Sequence, residues 1–293
     1  MPLTTTAKTF YRNFLGDTTL AIKAKTALDY WLMAGRYREG LTRASPDVQR
    51  ILQDVETHGY HVIPDFWDRQ RCARAVADVD AMLEARQEFV HRLDDLRIFG
   101  AEDLSGTIRE FADDRLLTEL TERYFGGFQA FTLANRITCT PGNLGSGGGW
   151  HRDGFYRELK AILYLSDVGP ENGAFQIVER SNNFTEVVRA VETLKLHWRQ
   201  HRLSDREDAL ARQYPDRLKT LVGGAGSLLI FDTSCIHRGA PITQGVRYAL
   251  TNYCWRGNYY PASQLRGVLD SYKLVNPERV YQKCLAAAGA VKG

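Results

Sequence analysis

From about Phe128 to Trp255 the sequence breaks into short β-rich runs separated by glycine and turn residues: FQAFTLANRITCT, LKAILYLSDV, GAFQIVE, GSLLIFDTSCIHRG and RYALTNYCW. Runs this short, with turns between them, predict a sandwich or barrel and exclude a parallel α/β sheet. The flanks read differently. Over residues 1–50, Phe10, Phe14, Leu15, Leu20, Ile22, Leu28, Trp31 and Leu32 recur at roughly helical spacing, which predicts a helical N-terminal extension. Ser45-Pro46-Asp47 reads as a helix start and His58-Gly59-Tyr60 as its end. YHVIPDF then reads as a short strand, and RCARAVADVDAMLEAR as a helix behind it. The main domain is expected over 51–262 and a helical tail over 263–293. Between Phe184 and Leu221 a charged stretch of helical periodicity, holding His197, Trp198, Arg199, His201 and Arg202, interrupts the strands. It reads as an insert of the kind that forms lids or substrate-binding elements.

The chain of 293 residues suffices for one large domain plus additions. A formal net charge of +3 is too mild to argue for nucleic acid, and no zinc-finger or helix-turn-helix pattern is present. The five cysteines form no CxxC pair, which fits reduced thiols in a cytoplasmic protein. The first twenty residues lack the apolar run of a signal peptide, and no stretch reaches the ~18 apolar residues of a membrane span. Lys8, Arg12, Lys23, Lys25, Arg36, Arg38 and Arg43 outnumber the acids of the extension. A peripheral contact with a membrane or glycolipid at the inner membrane face is therefore expected beside a cytoplasmic location. The sequence does not set an oligomeric state.

Two runs carry chemistry. In Gly147-Gly148-Gly149-Trp150-His151-Arg152-Asp153-Gly154, His151 and Asp153 stand two apart, so an extended backbone projects both to one face. The glycines allow a tight turn and leave room at the mouth. In Ser227–Gly239 an apolar strand delivers His237 at its end. Two histidines and one carboxylate form a facial triad that holds one side of an octahedral ion and leaves positions for a chelating cosubstrate and O2. A hydrolytic zinc site also keeps an open position, so the triad by itself leaves the metal undecided. Arg247, on the strand after His237, breaks that tie. Its fork can pair with a carboxylate, which suits a small dicarboxylate chelating through a keto-acid end and has no use in a zinc hydrolase.

With these pieces in place the chain resembles the phytanoyl-CoA dioxygenase family of iron(II)/2-oxoglutarate oxygenases. The resemblance rests on HGYHVIPDF, WHRDG, ILYLSDVGPENGAFQIVERSNN, GSLLIFDTSCIHRG and Arg247, spanning about Gly59 to Trp255. Glu179-Arg180-Ser181-Asn182 stands where a Gly-Ser-His is common in the family. The resemblance implies a double-stranded β-helix, a mainly β jelly roll with flanking helices. It implies His151, Asp153 and His237 as iron ligands and Arg247 as anchor of the distal carboxylate of 2-oxoglutarate. Iron(II), 2-oxoglutarate and O2 are the implied cofactors, with ascorbate as a supporting reductant. Related halogenases lack the carboxylate ligand, so Asp153 favours hydroxylation. Strand alternation adds Thr251, on the face of Arg247, and Tyr164 and Thr138 as cosubstrate contacts.

The substrate is expected to be a small molecule. Arg152, Arg157, Lys160 and Arg238 flank the metal motifs, and Arg199 and Arg202 come from the insert; this positive charge suits an anionic group. Phe155, Tyr156 and Trp150 are candidates to stack on a ring or sugar. GSGGGWHRDG and LSDVGPENG resemble bacterial members that modify surface polysaccharides or lipopolysaccharide sugars, which implies a sugar acid of a cell-surface glycolipid or polysaccharide. A natural-product scaffold or an amino acid is the alternative substrate. A metal-dependent cupin hydrolase or isomerase, and a catalytically silent binding module, are the readings from other classes.

Overall fold

The computed structural model describes residues 19–196, 200–257 and 260–290. Lys8, Phe10, Arg12, Phe14 and Leu15, and His197, Trp198 and Arg199 of the insert, lie outside the described residues. Helix α1 (Thr19–Arg43) buries Met33 and Tyr37 in the main core and Tyr30 in a second cluster under the insert. Its other side leaves Leu28 and Trp31 54% and 69% exposed, with Leu32 beside them.

Helix α2 (Pro46–His58) starts as the sequence predicts, with Ser45 at the N-cap and proline in the first turn, where a missing N–H costs nothing. It ends on Gly59 at φ 91°, where a Cβ would also run into the Cys235 sulfur. The boundary expected at residue 50 falls inside this helix, which buries Val48, Ile51, Leu52 and Val55. Next come β1 (Tyr60–Ile63) and α3 (Arg69–Ala85). The short hairpin of β2 (His91–Arg92) and β3 (Leu96–Phe99) follows. Helices α4 (Gly106–Ala112) and α5 (Arg115–Phe125) lead into the long strand β4 (Gly127–Thr138).

The remaining strands are β5 (Leu159–Tyr164), β6 (Phe175–Val178), β7 (Leu218–Leu221), β8 (Leu228–Asp232), β9 (His237–Gly239) and β10 (Val246–Arg256). Among the described residues they form a seven-stranded sheet, β1-β8-β5-β10-β4-β3-β2, and a three-stranded sheet, β7-β6-β9. Every pairing is antiparallel. One face of the large sheet packs on α2 to α5 through Ala134, Leu163, Ile230 and Leu250. The other face meets the small sheet through Tyr164, Phe175, Leu229 and Phe231. This is the expected jelly roll, but with its flanking, insert and tail helices the protein is 45% helical, more than "mainly β" conveys.

The insert contains α6 (Phe184–Thr193) and α7 (Glu207–Gln213). Its expected last residues, Leu218–Leu221, are strand β7 of the small sheet. The tail holds α8 (Ala262–Ser271) and α9 (Pro277–Ala290).

Candidate metal centre

Alternation on the large sheet decides which side chains face inward. Rows of partners cross it: Arg97–Asn135–Ala249–Tyr164, then Leu133–Thr251–Ile162, then Tyr253–Lys160–Phe231. These residues line a cavity of about 160 Å³ between the sheets, together with His151, Asp153, His237 and Arg247.

The small sheet extends past β9 by single bridges. His151 pairs with His237 on one side and with Arg202 of the insert on the other. His151 N–H donates to His237 O at 2.9 Å and the reverse bond is 2.8 Å, which fixes the two imidazoles side by side. Arg152 N–H donates to His201 O at 3.0 Å and Leu203 N–H to Trp150 O at 2.8 Å, so the insert is stitched to the segment that carries the first histidine. The glycine run permits this. Gly147, Gly148 and Gly149 all have positive φ, and a Cβ on Gly147 would stand 2.6 Å from the His151 ring.

Among the described residues, His151, Asp153 and His237 are the one group of histidine, cysteine and acid side chains with metal-ligand convergence; their donor atoms lie within 4.8 Å of one another. Asp153 Oδ1 is 3.5 Å from His151 Nε2, and Oδ2 is 3.9 Å from His237 Nε2. Each histidine commits its other nitrogen to a backbone carbonyl, His151 Nδ1 to Gly149 O and His237 Nδ1 to Cys235 O, both at 2.8 Å. A carbonyl only accepts, so Nδ1 carries the proton and Nε2 presents a lone pair to the shared centre. The donor set therefore fits a metal ion held on one side and open to the cavity.

Electrostatics agree. Burial, then the nearby His151, pushes the His237 pKa down to about 3 from 6.5. Burial lowers that of His151 as well. Both stay neutral, the form that ligates metal. Burial works against ionisation of Asp153, but the Lys160 ammonium outweighs it by charge and by hydrogen bond and holds the carboxyl well below the usual range. A pH effect on stability follows. The unfolded chain takes a proton on residue 237 below about pH 6.5, and the folded chain resists until near 3. The metal-free protein should lose stability as pH falls through that window, by up to ~1.4 kcal/mol per pH unit from this residue. Urea unfolding of the metal-free protein at pH 7 and pH 5 checks this. The midpoint should drop at pH 5, and drop less in His237→Asn.

Arg247 is buried and donates through Nη1 to the Gly173 carbonyl, while its Nε has no partner among the described residues. A buried guanidinium with unspent donors is costly unless an anion completes it, so it fits a carboxylate in the cavity. Tyr164 lines the same cavity, but its hydroxyl is already used: it donates to Leu221 O and accepts from Phe175 N–H, each at 2.9 Å. Burial pushes its pKa up to about 12. The tyrosine therefore lines the cavity with its hydroxyl already engaged. Thr251 lines the cavity as alternation predicts.

Several expected residues lie elsewhere. Thr138 sits exposed at the end of β4, out of phase with the inward Leu133 and Asn135. Arg152 is buried and donates to the Ser181 and Ser234 carbonyls. Arg157 pairs with Glu56 beneath the sheet. Arg238 is bound to Gln176 and Glu207 and stacks on Trp150 at 4.6 Å. Phe155 packs on the His201 ring at 4.7 Å, and Tyr156 lies near the Arg256 guanidinium at 5.8 Å. These charges and rings are consumed in fixing the loop. Of the expected substrate residues beside the metal motifs only Lys160 lines the cavity, and of the expected charges of the insert Arg202 does. Arg202 and Arg97, the latter not expected, line with Gly147 both the inner cavity and an outer one of about 380 Å³. Arg97 is paired with Asp95 at 2.6 Å, whereas Arg202 forms no ion pair with a described residue.

A jelly roll with an open two-histidine, one-carboxylate centre and a buried arginine in the same cavity is the frame of an iron- and 2-oxoglutarate-dependent enzyme. The family model of phytanoyl-CoA dioxygenase (PhyH) matches residues 55–249, and the chain belongs to that family. Iron and 2-oxoglutarate are accordingly its cofactors. Solved structures of similar fold include the epimerase SnoN with Fe3+, alpha ketoglutarate and nogalamycin RO. It is 17% identical with a TM-score of 0.57, covering 73% of this chain and 86% of that one. HygX from Streptomyces hygroscopicus, with nickel and 2-oxoglutarate bound, is 15% identical with a TM-score of 0.52, covering 70% and 86%. AviO1 from Streptomyces viridochromogenes Tue57 is 15% identical with a TM-score of 0.52, covering 74% and 99%. At these identities the likeness speaks to the fold. No curated protein sequence matches the chain. No helix among the described residues is long and apolar enough to cross a membrane.

Proposed function

We propose that the chain hydroxylates an unactivated C–H bond of a small anionic substrate. His151, Asp153 and His237 would hold the iron, and Arg247 the distal carboxylate of 2-oxoglutarate. The observation that carries this is the shared cavity: three converged donors and a buried arginine with a free Nε line one space. Bound iron and 2-oxoglutarate supply, with O2, the power to oxidise a C–H bond, and 2-oxoglutarate leaves as succinate and carbon dioxide. The protein's part is to orient and to exclude water. Arg247 would pair with the distal carboxylate of the cosubstrate, and Tyr164, Ile162, Phe231 and Thr251 line the same cavity. The presence of Asp153 supports hydroxylation over halogenation, since it fills the position a halide would need.

The anionic character rests on Arg202, the exposed guanidinium at the throat with no described acid against it. Asp94 lines the same outer cavity and suits hydroxyl donors. A hydroxylated acid such as a sugar acid matches both. Turnover of 2-oxoglutarate to succinate with Fe(II) should be stimulated by acids from a panel of sugar acids, amino acids and their neutral counterparts. Arg202→Ala should raise KM for the stimulating acid about tenfold, the scale of one lost charge-assisted hydrogen bond, while KM for 2-oxoglutarate moves far less. Stimulation by neutral compounds alone would remove the anionic reading. The expectation of a peripheral lipid contact attaches to α1, where exposed Leu28, Trp31 and Leu32 lie near Arg36 and Arg38.

A further inference from the structure

Lys160 stands in the wrong kind of place for a lysine. It lies on β5 between Leu159 and Ala161, in the middle of the large sheet, paired across to Tyr253 on one side and Phe231 on the other. Its side chain is 9% exposed. Long flexible ammonium groups are rarely buried without a partner. Here the partner is a proposed metal ligand: Nζ donates to Asp153 Oδ2 at 2.6 Å. The ammonium also rests 3.9 Å from the centre of the Tyr253 ring, whose face favours a cation. Alternation makes the placement firm. Lys160, Ile162 and Tyr164 share the inward face, and the neighbouring strands hold both flanks of the lysine.

The carboxylate is divided by this contact. Oδ2 lies 3.9 Å from His237 Nε2 but is held by the lysine at 2.6 Å, whereas Oδ1, 3.5 Å from His151 Nε2, receives no bond from the lysine. We infer that Lys160 is a positioning residue: it clamps one oxygen of Asp153 so that the carboxylate meets the metal through the other, leaving the far side of the ion open to cosubstrate and O2. It touches neither the histidines nor the reacting atoms in this role and acts through Asp153. The inference rests on the metal-site reading above. It gives a reason for a buried lysine that an anionic substrate does not need, because its charge is already spent on Asp153.

The test is anaerobic titration of Co(II) into the wild-type protein and into Lys160→Met, which keeps the length of the side chain and removes the donor. Calorimetry reads the affinity, and the visible ligand-field absorption reads the coordination. Loss of a group that orients a metal ligand typically weakens binding by about 10- to 100-fold. That loss is expected for Lys160→Met, with a changed Co(II) spectrum. Lys160→Gln, which retains an N–H donor, should recover part of both; should Lys160→Met not fold, Lys160→Gln and Lys160→Arg carry the comparison against wild type. If the variants bind Co(II) as tightly as wild type with the same spectrum, and only 2-oxoglutarate or substrate binding falls, Lys160 is a ligand contact and the inference is overturned. If the wild-type protein itself takes no Co(II), the metal-site reading fails with it.

Discussion

Replacing His151 with alanine is expected to remove Fe(II)-dependent conversion of 2-oxoglutarate to succinate, by more than a hundredfold, without unfolding the jelly roll. The imidazole is one of three donors within 4.8 Å of one another, and among the described residues no other histidine, cysteine or acid converges with them. Its backbone bonds to His237 and its bridge to Arg202 do not depend on the side chain, so the segment should keep its course. Loss of even an orienting group around a metal costs about 10- to 100-fold, and loss of a ligand should exceed that. Circular dichroism and a thermal melt of the variant separate loss of metal from loss of fold. Turnover at the wild-type rate would end the assignment of His151.

Arg247→Met should raise KM for 2-oxoglutarate about a hundredfold. Removing one side of a buried, hydrogen-bonded charge pair costs 2–5 kcal/mol or more, and a hundredfold is ~2.7 kcal/mol. Arg247→Lys should restore little of it. A lysine places one point charge where the guanidinium presents a fork, and the Gly173 carbonyl that receives Arg247 Nη1 would compete for that single ammonium. Metal affinity measured without cosubstrate should stay near wild type, because Arg247 contacts no metal donor. An unchanged KM in Arg247→Met would place the cosubstrate carboxylate elsewhere.

The two variants also show which parts of the site the sequence carries. The triad is legible because its members belong to short local patterns: His151 and Asp153 two apart beside a glycine run, and His237 shortly after an apolar strand, although it opens β9 of the small sheet rather than ending β8. Arg247 is legible because β10 is long and strongly β-forming. Alternation along β5 and β10 likewise places Tyr164, Thr251 and Lys160 inward. It fails for Thr138, because β4 alternates on the odd positions and Thr138 belongs with Arg136, which faces helix α3 through Asp80. The flanking arginines mislead for a different reason. Arg152, Arg157 and Arg238 sit next to metal motifs in the chain, but their partners, Ser234, Glu56 and Glu207, are distant in sequence, and only the fold shows that they are occupied. Arg97 escapes a sequence reading because β3 is four residues long and reaches the site only by pairing Arg97 with Asn135 of β4. Asn135 itself could be found by carrying the alternation of β4 through from Leu133.

The most direct measurement is anaerobic addition of Fe(II) and 2-oxoglutarate to the wild-type protein, followed by visible absorption. A metal-to-ligand charge-transfer band that requires both additions, and that is lost in His151→Ala and weakened at the same 2-oxoglutarate concentration in Arg247→Met, is the result expected if the triad and Arg247 share one cosubstrate. A wild-type protein that binds Fe(II) but gives no band with 2-oxoglutarate, or a band untouched by either variant, would contradict it.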